Sequence, residues 1–488
     1  MKKLALVLGI ILLINASASA EITLYEKENK IRVYTAGELT ARYEDWNWFN
    51  PAGSSADNNY SYHFIRSRLA IGCETDKLDF FIQAQHTQMW DLPDNGMAPA
   101  PGGALGLGSI YYAHRQDENY HSTFIKQAYV RFKDILGTGL FIKAGRFEYV
   151  DALEVTYKNP KVMWLKKIRL SERLIGPFGW SAFTRSFDGA EIVLDKDNYN
   201  ITSMASYPTQ GGFENDAQKS IDDITLLTTT LTIKYDKVIP NTETRLFYYF
   251  YDDDRNMAKP DNTPAGSTLN NGEIEIQTLG FHLLNTFDAG PGTTDFLLWG
   301  AYQFGDWGDL THKAWAFNIE AGYQFTKIFS KPWLRAGYFV STGDSNPDDS
   351  DHETFFQMLP TTRKYALFPF YNLMNNEDLF LQLILKPHKK VLIRTDLHFL
   401  RLNQSKDRWY MGAGATKENG NIFGYITRPA VGDADLAKVL DLMVVFNLNK
   451  RVSFNTYYGH VWGDNVIENI YGTDDDADMF FFELNLKF

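Results

Sequence analysis

Apolar and polar residues alternate along much of this chain, in short segments that end at turn residues. Between 312 and 326, for example, Trp315, Phe317 and Ile319 occupy every second position, and Asn318 and Glu320 lie between them. A period of two places these two sets of side chains on opposite faces of a β-strand. The pattern therefore predicts a chain that consists mainly of strands.

By this criterion we count about eighteen candidate strands, whose bounds are uncertain by two to four residues. They lie near 31–44, 61–72, 78–90, 121–133, 139–147, 182–195, 199–207, 224–236, 241–251, 273–286, 294–305, 312–326, 331–341, 374–386, 390–402, 436–448, 451–461 and 478–488. Within 273–286 the alternation changes phase, which indicates either a β-bulge or an error in the assignment.

The connectors between these strands alternate between short and long. Short turns such as Lys196–Asn198 and Asn449–Lys450 alternate with long segments such as 91–120 and 148–181. Outer-membrane barrels have short periplasmic turns and longer extracellular loops. The connector 306–311 is an exception, because it is short where a long loop is expected.

A closed barrel explains this organisation better than the soluble alternative, a β-sandwich. A multi-domain sandwich of this length should contain linkers between its domains, and we find none. A sheet that crosses lipid must close so that every backbone N–H and C=O group is paired. We therefore predict an all-β, transmembrane, antiparallel up-and-down β-barrel of about eighteen strands, in one domain that spans residues 21–488.

The start of the chain predicts export. Lys2 and Lys3 precede an apolar run from Leu4 to Ile14, and Ala18-Ser19-Ala20 forms a small-residue cleavage site. This is the layout of a signal peptide, so we expect residues 1–20 to be removed. Cys73 is the single cysteine, so the exported fold cannot contain an internal disulfide. These observations predict a protein of the outer membrane of a Gram-negative bacterium.

The last strand resembles the C-terminal signal strand of bacterial outer-membrane barrels. Its apolar row consists of Phe480, Phe482, Leu484, Leu486 and Phe488. The resemblance implies that the barrel-assembly machinery of the outer membrane recognises this row. The other expected partners are the lipid and the lipopolysaccharide of that membrane.

Composition narrows the function classes. The chain contains 27 Tyr, 35 Phe and 11 Trp, which suits strands and the aromatic girdles of a membrane barrel. The formal net charge of −12 becomes −14 when Lys2 and Lys3 are removed, and this argues against a nucleic-acid partner. We find no G-x-S-x-G, H-E-x-x-H or C-x-x-C motif, so we expect neither an enzyme nor a bound cofactor.

Several charged side chains are candidates for the lining of a pore. The alternation places most of them on the inner face, although it does not fix the direction of Arg146. The candidates are Arg66, Arg68, Arg131, Arg146, Arg185, Arg245, Arg335 and Arg394, with the acidic Asp188 and Glu191. Guanidinium groups bind carboxylates and phosphates, which predicts a constriction that attracts anions. The alternative is a ladder of mutually neutralising charges that braces a polar lumen.

Three segments resemble the alginate-export family of outer-membrane porins. They are FIKAGRFEYVDALE (141–154), WSAFTRSFDGAEI (180–192) and LRAGYFVSTGDSNPDDSDHETFFQMLPTTRKYALF (334–368). The resemblance implies a monomeric barrel of eighteen strands that exports an acidic polysaccharide passively through an arginine-rich pore. It extends that role to Arg66, Arg68, Arg131, Arg146, Arg185 and Arg335. A general diffusion porin for small anionic solutes and a non-conducting surface or adhesion barrel remain alternatives.

Acidic runs occupy three predicted outer loops, at 252–254, 344–351 and 474–478. Asp344, Asp348 and Asp349 are weak candidates for a calcium site, because oxygen ligands suit Ca²⁺. Their spacing does not match a complete EF-hand loop, so we favour a solvated rim and predict no metal.

Overall fold

The computed structural model describes residues 21–488, except for 29, 258, 260–271, 364, 413, 417–423 and 473–474. The predicted signal peptide, residues 1–20, lies outside the described residues. None of the described helices is long and apolar enough to cross a membrane.

Strands account for most of the described chain, and the helices are short. The strands are β1 Glu21–Lys27, β2 Ile31–Asn47, β3 Asn59–Thr75, β4 Leu78–Trp90, β5 Met97–Ala98, β6 Gly103–Ala104, β7 His121–Phe132, β8 Leu140–Phe147, β9 Phe187–Asp195, β10 Tyr199–Pro208, β11 Ile224–Ile233, β12 Thr242–Asp253, β13 Ile274–Ala289, β14 Gly292–Trp307, β15 Leu310–Phe325, β16 Trp333–Ser341, β17 Asp351–His352, β18 Glu377–His388, β19 Val391–Arg401, β20 Arg408–Gly412, β21 Tyr425–Pro429, β22 Asp435–Asn447, β23 Val452–Gly463 and β24 Asp476–Lys487. The helices are α1 Leu107–Arg115, α2 Pro160–Leu165 and α3 Asn465–Tyr471, with a 3-10 turn at Ile135–Gly137 and a π turn at Lys166–Leu170.

Eighteen of these strands form a closed antiparallel barrel, which confirms the predicted fold class. Each strand pairs with its neighbours in the chain, and β2 closes the ring by pairing with both β3 and β24. The barrel strands are β2 to β4, β7 to β16, β18, β19 and β22 to β24. Every one of the eighteen predicted segments corresponds to one of them.

Two additional strands, β1 and β17, extend the barrel sheet at opposite ends. β1 pairs with Ile31–Ala36 of β2 at the periplasmic end, where β24 no longer contacts β2. β17 runs parallel to the first residues of β15, beyond the point where β16 ends. Both strands therefore lie where the long strands β2 and β15 extend past a shorter neighbour.

The structure confirms one sequence-based expectation about β13 to β15 and contradicts another. The outer connector between β14 and β15 is only Gly308–Asp309, as the sequence predicted. β13, in contrast, pairs in uninterrupted register with β12 and β14, so the bulge considered for 273–286 is absent. The phase changes because Ile274, Ile276 and Leu284 face inward and are fully buried. They contact apolar side chains of loops that fill the lumen.

The extracellular end of the barrel contains a large aromatic cluster. Trp46 and Trp48 pack there against Phe368 of the 342–376 loop, with ring centroids 5.7 and 6.1 Å apart, and Phe49 packs against Trp48 at 5.0 Å. Trp409 of the 402–434 segment joins the same cluster. The outer loops therefore pack on one another and on the inner wall, rather than extending into solvent.

Candidate functional site

The segment 148–186, which we call the inward loop, connects β8 to β9 and descends through the lumen. It reaches the periplasmic third, where Lys161 donates to the carbonyl of Thr293, 2.9 Å away, at the start of β14. Its helix α2 begins there because Asn159 accepts a hydrogen bond from the backbone N–H of Lys161 and Pro160 occupies the first turn. Loop residues therefore contact the barrel wall over most of its height.

Glu320 is the main contact between the inward loop and the wall of β15. Its carboxylate lies 2.9 Å from Arg169, 3.3 Å from Arg173 and 2.9 Å from Arg335. Arg335 also pairs with Asp295 at 3.0 Å. All of these side chains are buried. One carboxylate thus joins two guanidinium groups of the loop to one of the wall.

A second group of ion pairs fixes the loop to β12 and β13. Lys166 and His282 lie 2.7 and 2.9 Å from opposite oxygens of Glu243. Arg245 lies 2.8 Å from Asp151 and 2.5 Å from Glu154, near the start of the loop. Arg245 therefore faces inward, where its charge is matched by two loop carboxylates.

Two arginines of β3 hold the part of the inward loop that follows the π turn. They do so by hydrogen bonds to neutral groups, namely backbone carbonyls and a hydroxyl. Arg66 donates to the carbonyls of Gly179 and Ser181, at 2.9 and 2.6 Å. Arg68 donates to the hydroxyl of Thr184 at 2.6 Å, and its Nη1 lies 3.1 Å from Glu38. In the loop itself, buried Arg185 donates to the carbonyl of Pro360 at 3.2 Å, and Lys126 of β7 donates to the carbonyl of Thr184 at 3.1 Å.

Trp180 of this segment lies between two guanidinium groups. The guanidinium of Arg42 is 4.7 Å from the indole ring and that of Arg363 is 4.2 Å from it. Arg42 also pairs with Glu44 and Glu483. Arg363 lies 4.9 Å from the ring of Tyr457 and 5.1 Å from that of Phe481. Among the residues that the structure describes, no carboxylate pairs with Arg363.

Sequence reasoning missed Arg42 and Arg363 for different reasons. Arg42 lies on a regular strand between the outward-facing Ala41 and Tyr43, so alternation alone could have placed it in the lumen. Arg363 lies in the 342–376 loop, where no periodic pattern indicates direction. Its position depends on contacts between distant parts of the chain.

Below the inward loop, the wall of the lumen is polar and half-exposed, and we call this space the vestibule. Arg131 pairs there with Asp79 at 2.5 Å while 45% of its side chain stays exposed. Glu191 pairs with Lys143 at 2.8 Å. Higher on the wall, Arg394 donates to Asp396 at 2.6 Å, beside the buried His398. These inward groups are largely matched pairs.

The structure corrects the prediction for Arg146 and Asp188, which do not line the lumen. Lys143 and Phe147 face inward on β8, so Arg146 lies on the opposite face of that strand. It forms two hydrogen bonds with Asp188, at 2.7 and 2.6 Å, on the outer surface of the barrel. The carbonyl of Gln218 accepts a third bond from Arg146 at 2.7 Å.

The carboxylates of the acidic 344–351 segment do not lie together as a calcium site would require. Asp344 is buried beside Asp407, whose Oδ2 accepts from the backbone N–H of Asp344 at 2.9 Å. Asp348 and Asp349 are exposed. Burial raises the pKa of Asp344 to about 7 and that of Asp407 to about 6. Among the described residues, the one three-residue group with metal-like spacing is Asp396, His398 and Asp441 on the barrel wall.

The predicted assembly row lies on β24, where Phe480, Phe482 and Leu484 face outward. Phe481 and Glu483, between them, are buried on the inner face. Leu486 is buried and Phe488 packs against Gly37 of β2, at the point where the barrel closes. The row therefore presents aromatic side chains to lipid, as the alternation predicted.

Comparison with solved structures shows the same fold in outer-membrane porins. Pseudomonas aeruginosa OpdK, solved with vanillate, superposes with a TM-score of 0.55 at 8% identity, covering 93% of this chain and 98% of OpdK. Acinetobacter baumannii OccAB2 gives 0.56 at 9% identity, with the same coverage of both chains. Pseudomonas aeruginosa OccK8 (OprE) gives 0.51 at 10% identity, again covering 93% and 98%.

Sequence comparison gives the family. No curated protein matches the chain. The family model described as alginate export matches residues 50–477, which is most of the chain. Together with the closed barrel, this places the protein in the outer membrane of a bacterium. The chain belongs to the alginate export family.

Proposed function

We propose that this outer-membrane channel conducts an acidic polysaccharide or oligosaccharide passively from the vestibule outward. The solute would pass the Arg42–Trp180–Arg363 stack, with Arg66 and Arg68 beside it. Residues 1–20 would be removed during export, so that the mature barrel begins at residue 21. No cofactor and no energy input are required.

This proposal rests on the surroundings of Arg363, which consist of aromatic rings rather than carboxylates. Its guanidinium group is surrounded by the rings of Trp180, Tyr457 and Phe481, and no described carboxylate pairs with it. A cation held by aromatic rings keeps its full charge, because a ring quadrupole attracts a cation without carrying net charge. Such a group attracts a passing carboxylate, which a guanidinium group binds through paired hydrogen bonds.

Aromatic and guanidinium surfaces together suit a uronic acid. The sugar ring offers apolar C–H groups that can lie against an indole edge. Nε of Arg363 already donates to the carbonyl of Leu367. The carboxylate of the sugar would offer an acceptor to Nη2, which has no hydrogen-bond partner among the described residues. Trp180 is half-exposed and the adjacent Gly179 is exposed, so a solute inside the barrel would have access to this edge. Polar groups near the stack, such as Asn455 and Asn485, could accept and donate hydrogen bonds to hydroxyl groups.

Single-channel recording in planar bilayers tests the proposal. We expect anion preference in a salt gradient, and block by oligouronates at lower concentration than by neutral oligosaccharides of equal length. Arg363→Gln should weaken the block by about tenfold, because a hydrogen bond to a charged group is lost. Arg401→Gln is the matched control, since Arg401 pairs with Asp435 at the exposed rim. Equal block of the wild type and Arg363→Gln would contradict the proposal.

A general porin for small anionic solutes is the second candidate, and the filling of the lumen favours it. Loop side chains such as Arg169, Arg173 and Leu165 are fully buried within the barrel, which leaves less room for a polymer. The fold is also that of OpdK, whose crystal structure contains the small carboxylate vanillate. Fast permeation by small carboxylates, without block by longer oligouronates, would support this candidate instead.

A further inference from the structure

One sector of the periplasmic rim has only positive charges. We call it the basic rim and define it as three turn segments, 326–332, 386–390 and 448–451. Its cations are Lys327, Lys331, Lys386, Lys389, Lys390, Lys450 and Arg451. None of the three segments contains Asp or Glu. This composition contrasts with the acidic charge of the whole chain.

The three segments are neighbours around the barrel, so their charges form one surface. They connect strands that pair in the order β15, β16, β18, β19, β22 and β23. Backbone hydrogen bonds join the segments directly. The N–H of Lys386 donates to the carbonyl of Ser330 at 2.6 Å, and that of Asn447 donates to the carbonyl of Lys390 at 2.8 Å.

The lysines of the basic rim are not neutralised by the protein. All six are exposed, and the structure shows no ion pair between any of them and a described carboxylate. Two lysines beside other periplasmic turns are paired with carboxylates: Lys133 lies 2.6 Å from Asp79, and Lys234 lies 2.9 Å from Asp195. The charges of these six lysines are therefore available to anions from outside the chain.

Exposed apolar side chains lie beside these lysines, and they indicate which class of anion binds there. Phe329 is 80% exposed, Ile328 is 52% exposed and Leu448 is 49% exposed. A hydrophilic polymer would leave these side chains in water. The edge of a lipid leaflet covers apolar groups and places phosphates beside them, which matches lysines whose apolar stems lie along the boundary.

We propose that the basic rim binds the headgroups of anionic phospholipids in the periplasmic leaflet. Lysine ammonium groups would contact the lipid phosphates while Ile328, Phe329 and Leu448 enter the acyl boundary. The site would hold this sector of the barrel at a fixed depth in the leaflet. The inference is independent of the transported solute.

Lipid selectivity of the reconstituted mature protein tests this site. The protein is placed in phosphatidylcholine vesicles that carry a trace of spin-labelled phosphatidylglycerol or spin-labelled phosphatidylcholine. Electron paramagnetic resonance then gives the relative association of the two labels with the barrel. We expect preference for phosphatidylglycerol, reduced by about tenfold or more in the triple variant Lys389→Gln, Lys390→Gln, Lys450→Gln.

The matched control removes three exposed lysines from other periplasmic turns, through Lys30→Gln, Lys77→Gln and Lys237→Gln. Each of these turns also contains an acidic residue, so the control should keep the lipid preference. Equal losses in both triple variants would overturn the proposal, because net charge alone would then explain them. Unchanged lipid selectivity would also overturn it. So would binding of a soluble oligouronate to the same lysines in place of lipid.

Discussion

At the scale of single residues, arginines inside this barrel differ in what neutralises them. Arg335 and Arg245 pair with carboxylates, which cancel their charge. Arg66 bonds mainly to backbone carbonyls, and Arg363 packs on aromatic rings. Carbonyls and rings stabilise a cation without cancelling it. We therefore expect selectivity to depend on Arg66 and Arg363, whereas Arg335 and Arg245 hold the inward loop in place.

The outward position of Arg146 leads to a first prediction. Arg146→Gln should leave ion selectivity unchanged, because the side chain lies outside the lumen. It should lower the free energy of unfolding by about 1–3 kcal/mol, since Asp188 loses its charged partner. Adding Asp188→Asn should recover part of this loss. Urea unfolding of the folded barrel and reversal potentials measure the two properties, and a change in selectivity would show that Arg146 faces the pore.

Strand alternation predicted the direction of most candidate arginines, and its failure at Arg146 has a physical cause. On β3, apolar Ile65, Leu69 and Ile71 face lipid, so Arg66 and Arg68 must face inward. On β8, inward-facing Phe147 is buried against the inward loop. Each face of that strand carries apolar side chains and one cation, Lys143 inside and Arg146 outside, so hydropathy alone does not distinguish the two faces.

At the scale of elements, the inward loop depends on Glu320. Glu320→Gln would leave Arg169 and Arg173 buried without their carboxylate, at a cost of about 3–5 kcal/mol. We expect faster hydrogen exchange across 148–186 and a larger single-channel conductance. Glu26→Gln, at an exposed position on β1, serves as the control. Unchanged exchange in the loop would mean that packing, rather than Glu320, holds it in the lumen.

The stability of the 342–376 loop should depend on pH through one carboxyl group, that of Asp344. Burial raises the pKa of Asp344 from 3.8 to about 7 in the folded protein, so the fold binds this proton more tightly than the unfolded chain does. The resulting stability is present at low pH and is lost as the pH rises from 3.8 to about 7.

Asp344→Asn should therefore stabilise the loop at neutral pH and flatten this dependence. Hydrogen exchange of 342–354, measured across the same pH range, gives the comparison. Asp348→Asn is the control, because Asp348 is exposed in the same loop. A wild-type loop whose protection does not fall as the pH rises would contradict the assignment of Asp344.

The strands of this molecule were predictable and the loop interior was not. Strand positions depend on local alternation and turn residues, which every segment carries in its own sequence. The lumen contents depend on pairs such as Arg169–Glu320 and Arg66–Gly179, which are far apart in the chain. Because loops fill the lumen, inward positions of the wall such as Ile274 and Ile276 are apolar and pack against loop side chains. These inward apolar residues obscured the alternation of β13.

At the scale of the whole molecule, the two ends of the barrel differ. Inward positions near the extracellular end, including Tyr62 and Phe64, are buried under packed loops. Inward positions near the periplasmic end, including Tyr129 and Lys143, are half-exposed. The described loops therefore close the lumen from the outside and leave the vestibule open to the periplasm. A solute that enters from the periplasm meets Gly179 and Trp180 before it meets the outer loops.

This asymmetry can be measured with one engineered thiol. Gly179 is exposed, and an added Cβ would have no neighbour within 4 Å, so Gly179→Cys should fold normally. In a Cys73→Ser background, we expect membrane-impermeant thiol reagents to modify this cysteine from the periplasmic side and not from outside intact cells. A negatively charged reagent should react faster than a positively charged one of similar size, because Arg66 and Arg363 attract anions.

Ser350→Cys in the same background provides the opposite control, since Ser350 is exposed on an outer loop and should react from outside. Equal reaction of Gly179→Cys from both sides would mean that the outer loops do not close the barrel. Faster reaction with the positive reagent would mean that the four nearby carboxylates, Glu38, Glu44, Glu148 and Glu483, set the local potential instead of the arginines. Since modification adds a known charge beside Arg66, the change in conductance that follows each reagent also reports whether ions pass this point.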